Sequence, residues 1–70
     1  MITATEARQK LIARDYQRIE EKIRVRIDNG ESFAIVPRPK YARLVEVLAW
    51  LRNHGYHCEH RDETMIRVLW

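Results

Sequence analysis

The chain has 70 residues, of which 46% are apolar and 33% charged, with one cysteine and a net charge of +3. That length holds one domain near the lower limit for a self-sufficient core, and the composition excludes a solvated, disordered tail. The lone Cys58 excludes an internal disulfide framework.

The opening Met1-Ile2-Thr3-Ala4-Thr5-Glu6 has neither the basic start nor the apolar core of a signal peptide. No apolar run reaches membrane-spanning length, so a soluble, cytoplasmic protein with no membrane contact is expected. The same residues start a helix. Thr3 and Glu6 have capping-box spacing, with Thr3 as N-cap, and Ile2 and Ala7 fall at the positions of a hydrophobic staple. The helix is predicted over about 4–28. Its apolar stripe is Ile12, Tyr16, Ile19, Ile23 and Ile27, while Ala4, Ala7 and Leu11 are rotated away from it. The first two turns are therefore expected to overhang the core, fray, or pack on another copy.

Lys10, Arg14, Arg18 and Lys22 recur every fourth residue and place four like charges on one ridge opposite the stripe. They form either a rail for phosphates or an acidic protein face, or a solvated back face diluted by Asp15 and Glu21. No recognition-helix signature accompanies the ridge, so nucleic-acid contact through it would be to backbone rather than bases.

Asn29-Gly30 stops this helix, because glycine enters the left-handed conformation without a Cβ clash. A strand follows at 33–36, Phe33-Ala34-Ile35-Val36. Pro39 suits the first position of a second helix, predicted over about 39–54 and closed by Gly55. Its inward face reads as Tyr41, Leu44, Val45, Leu48 and Leu51, and Tyr56 falls where a Schellman motif seeks an apolar partner for Leu51. Trp50 lies off that face with Arg43 and Val47. These three form a candidate partner-binding surface; the alternative is that Trp50 packs under the first helix or over the sheet margin.

Strands at 56–61 and 64–70 alternate around an Asp62-Glu63 turn. The last is apolar on much of both faces, so it belongs in the centre. A right-handed crossover makes the first two strands parallel, with the last inserted between them and antiparallel to both. The fold class is α+β: an α-β-α-β-β mini-domain with two helices on one face of a three-stranded mixed sheet in order 1-3-2. Trp70 is expected to be tied into that sheet.

Chemistry-bearing clusters are sparse. His54, His57, Cys58 and His60 crowd together, but alternation puts Cys58 and His60 on one face and His57 on the other, too few ligands for a closed zinc site. Cys58 and His60 lack an evident orienting third group, and both glycines serve as helix stops rather than a phosphate loop. No catalytic residue, metal or cofactor is assigned, and an enzyme is not expected.

The opening Met1–Arg8, the turn Asp28-Asn29-Gly30 before Phe33–Val36, Leu48–Leu51 leading into Asn53-His54-Gly55-Tyr56, and the closing strand ending in Trp70 resemble a class of short, uncharacterised proteins of tailed bacteriophages. The resemblance spans nearly the whole chain and implies phage origin and an α+β mini-domain, while transferring no activity and no site residue. Pro37-Arg38-Pro39 and the His57–His60 cluster depart from that pattern.

The functional expectation is a small non-enzymatic interaction protein that binds a protein partner, a host protein or a second copy forming a homodimer. Ala4, Ala7 and Leu11 form its first surface, and Arg43, Val47 and Trp50 its second. The alternative is a nucleic-acid-binding module working through Lys10, Arg14, Arg18 and Lys22.

Overall fold

Thr3 starts the long helix as its spacing requires: its Oγ1 accepts the Glu6 amide at 3.2 Å. In the computed structural model, which describes residues 1–60 and 62–70 and the backbone alone of residue 60, helix α1 spans Ala4–Asp28. The remaining elements are β1 (Phe33–Pro37), α2 (Leu44–Asn53), β2 (His57–His60) and β3 (Met65–Leu69). The expected strand end at Arg61, and the face taken by the His60 side chain, lie outside the described residues.

Both helices end in Schellman motifs. Glu31 N–H donates to Arg26 O and Gly30 N–H to Ile27 O, with Gly30 at φ +77°. At the second stop Tyr56 N–H donates to Leu51 O and Gly55 N–H to Arg52 O, with Gly55 at φ +89°. These bonds satisfy carbonyls that a helix end otherwise leaves open.

The sheet order is β1-β3-β2, and both pairings are antiparallel. The two outer strands thus run the same way without touching, a β-α-β unit split by the last strand. Ala34, Val36, Ile66 and Val68 point to one face of the sheet, where they are buried with Ile19 and Ile23 of α1 and Val47 and Leu51 of α2. Two helices on one face is therefore the observed architecture. Trp70 N–H donates to Ser32 O, and its ring meets Tyr56 edge-on at 5.9 Å, which ties the end of β3 down.

The second helix differs from its sequence reading in two ways. It begins at Leu44, five residues after Pro39, and its N-cap Arg43 makes no side-chain cap. The intervening backbone is claimed by α1: the amides of Tyr41 and Ala42 donate to Asp15 Oδ2 at 2.7 and 2.8 Å. The helix is also rotated. Val47 is 0% exposed and Val45 65% exposed, while Tyr41 stands out in solvent. Leu44, Val45, Val47, Leu48, Trp50 and Leu51 offer two apolar faces, and docking selects the one that seats Val47 and Leu51 on the sheet.

The β2–β3 connection also runs longer than a two-residue turn. Asp62 Oδ1 accepts the amides of Thr64 and Met65 and the Thr64 hydroxyl, organising residues 62–65 around one carboxylate.

Candidate functional site

The two flanks of α1 do different work. Toward α2, the Tyr16 and Trp50 rings meet edge-to-face at 4.8 Å and 83°, and Trp50 in turn meets His54 at 5.7 Å. His54 Nδ1 lies 2.8 Å from Trp50 O. Burial pushes the Tyr16 hydroxyl above its ordinary pKa, and the Glu46 and Asp15 carboxylates add to the effect. This seam between the helices corrects the second candidate surface. Val47 lies in the core and cannot reach a partner, and the Trp50 ring is half-buried against Tyr16, under the first helix. Of that trio Arg43 alone is exposed.

Asp15 is the residue that sequence reasoning misplaced. It is 5% exposed, not a surface charge diluting the ridge. Burial by itself would raise its pKa. The amides of Ala42, Tyr41 and Lys40, helped by Arg18, outweigh that and hold it below the usual carboxylate value. Its spacing carried the signal: three residues after Ile12 and four before Ile19, it lies on the stripe itself.

Away from α2, the opposite flank of α1 is open. Lys10, Arg14, Arg18 and Lys22 are all exposed, and none belongs to a described ion pair; those are Arg24–Glu20 at 3.7 Å and Arg26–Glu31 at 2.6 Å. From Lys10 to Lys22 the ridge runs about 18 Å at the helical rise. Its lower half faces β1: Arg18, Lys22 and Arg26, with Glu21 and Val25, form a groove of about 390 Å³ with Ile35.

The N-terminal turns of α1 reach beyond the core, in a molecule 43 Å long and 22–23 Å across. The core and the side chains packed on it start at Ile12. Before that, Ala4 is exposed and Ala7 and Leu11 half-buried, and Ile2, Ala7, Lys10, Leu11 and Arg14 line a shallow, mostly apolar concavity. The structure thus leaves the first candidate surface and the basic ridge on the outside and brings their ends together at Lys10 and Arg14.

The sheet face away from the helices is a third surface, not anticipated from the sequence. Phe33, Ile35, Pro37, Met65 and Leu69 are half-buried there, and Arg67 lies over the Phe33 ring at 5.0 Å. His57 and Glu59 share this face, opposite Leu69 and Arg67. Cys58 points to the helix side, where burial raises its thiol pKa against the opposing pull of Arg52. The described residues contain no group of three or more His, Cys, Asp or Glu side chains placed to share a metal ion. No described helix is long and apolar enough to cross a membrane. No protein-family model, curated protein or solved structure matches this chain.

Proposed function

We propose that this chain is a small non-enzymatic interaction protein whose α1 overhang docks on another protein, a second copy of the chain being the partner its side chains fit best. One observation carries the reading: Ile2, Ala7 and Leu11 form an apolar patch that the chain's own core does not cover. The charges around it are self-complementary. Glu6 lies beside the patch between Ile2 and Ala7, and Lys10 and Arg14 flank its far end, so two antiparallel copies related by a two-fold axis set Glu6 of each against the basic residues of the other. Two helical turns from each copy bury less than the roughly 1,000 Å² of a stable interface, so the pairing is weak and concentration-dependent. The resemblance to short proteins of tailed bacteriophages supports a phage origin and action in the host cytoplasm.

Lys10, Arg14, Arg18 and Lys22, exposed and without an ion-pair partner among the described residues, favour a second reading, in which the ridge tracks nucleic-acid phosphates. Light scattering coupled to size exclusion separates the two. A mass that climbs from monomer toward dimer with concentration, falls back in Leu11→Glu and ignores an added mixed-sequence duplex supports the first. A monomer at every concentration, shifting into a salt-sensitive DNA complex, supports the second and rejects the first.

A further inference from the structure

β1 is an edge strand, and the register fixes which of its backbone groups are spare. Ser32 O accepts from Trp70 and Arg38 N–H donates to Thr64 O, so the even-numbered positions of this segment face β3. The N–H and C=O of Phe33 and Ile35 and the C=O of Pro37 therefore point away from the sheet. Pro37, with no N–H, sits in the phase where no ladder bond is lost.

Above that free edge hangs the basic flank of α1. Arg18, Lys22 and Arg26 line the groove with Ile35, and Arg26 is already paired with Glu31. Arg18 and Lys22 have no described ion-pair partner, against one groove carboxylate, Glu21. The same cations oppose edge-to-edge pairing of two copies, because each edge would bring its own positive wall.

We infer that this groove binds an extended acidic segment of another protein as a fourth strand beside β1. Such a strand lies about 4.8 Å from β1 and alternates its side chains between two surroundings. On the helix side they meet Arg18 and Lys22, which select carboxylates. On the other side they continue the half-buried apolar face of Phe33 and Ile35, where Arg67 and Arg26 lie over the Phe33 ring at 5.0 and 5.9 Å, which selects Val, Ile or Phe. The recognised pattern is alternating acidic and apolar, with backbone hydrogen bonds to the Phe33 and Ile35 edge. This surface is separate from the α1 overhang, so either can fail without the other.

The test is titration of the full chain with a synthetic peptide alternating Glu and Val, followed by amide hydrogen exchange. Saturable binding with new protection at the Phe33 and Ile35 amides is expected. Arg18→Glu with Lys22→Glu should weaken the Glu–Val peptide about ten-fold and strengthen a Lys–Val peptide. Ile35→Pro, which removes an outward N–H and no ladder bond, should abolish binding; if that variant fails to fold, the charge-reversal pair still decides. Equal binding of the Glu–Val and Lys–Val peptides, protection outside β1, or no binding at millimolar peptide overturns the proposal. So does an oligonucleotide that displaces the peptide and binds more tightly, since it gives these cations to phosphate.

Discussion

The two helices of this small domain are specified by different kinds of information. What begins and ends α1 lies within its own 25 residues and their caps, Thr3 and the Gly30 stop, and the stripe that orients it seats Ile12, Tyr16, Ile19 and Ile23, while its last member Ile27 stands 47% exposed. The start of α2 depends on the Asp15 carboxylate, which holds the Tyr41 amide 26 positions on, and its rotation depends on what the sheet and Tyr16 will accept. Local chemistry decides a helix when it offers one answer. When it offers two, packing decides.

The comparison breaks most clearly at the rotation of α2. Leu51→Ala, in the core at 1% exposure, should cost about 3 kcal/mol in urea unfolding, whereas Val45→Ala should stay within about 0.5 kcal/mol. Equal losses at the two positions would mean the helix is not seated on Val47 and Leu51. Asp15→Ala follows in size. It strands two amides that donate to a buried carboxylate, at a cost of about 2 kcal/mol, and Asp15→Asn should recover part of that because one oxygen receives both bonds.

The same carboxylate predicts a pH dependence. Its folded-state pKa lies below the ordinary 3.8, so its contribution is complete above that value. It fades as pH falls past 3.8 toward the lower folded-state value. Acid unfolding curves of the wild type should show this loss and those of Asp15→Asn should lack it. A smaller loss than at Asp15 belongs to a helix stop: Gly55→Ala meets nothing within 4 Å and should cost about 1 kcal/mol through backbone conformation alone. A much larger loss would mean that the stop also sets the path of β2.

Those contrasts mark what was legible beforehand. Thr3, Gly30 and Gly55 announce themselves, because capping is a contact between residues a few positions apart. The central place of β3 was readable from apolar residues on both of its faces. The start of α2 was not, since Pro39 is a sound first-turn residue until Asp15 takes the following amides. Of the two readings open for Trp50, packing under the first helix holds and the surface with Arg43 and Val47 does not: Trp50 has a partner in Tyr16, 34 positions away, and Val47 lies in the core. The overhang at Ala4, Ala7 and Leu11 was legible as a break in phase along α1. The groove under Arg18 and Lys22 was not, because a strand edge gains a wall only when a helix is laid over it.

The sheet order also sets a schedule. Both outer strands pair solely with Met65–Leu69 among the described strands, and that strand is the last of the five elements to be synthesised. While a ribosome is still making it, β1 and β2 have no ladder to join, and the helices have no floor to cover. β2 needs only a short loop closed, whereas Phe33 must find Leu69 across 36 positions, the slower search by loop entropy. The nascent chain therefore exposes its sheet-forming segments until Met65–Leu69 emerges, and the sheet is completed only after that.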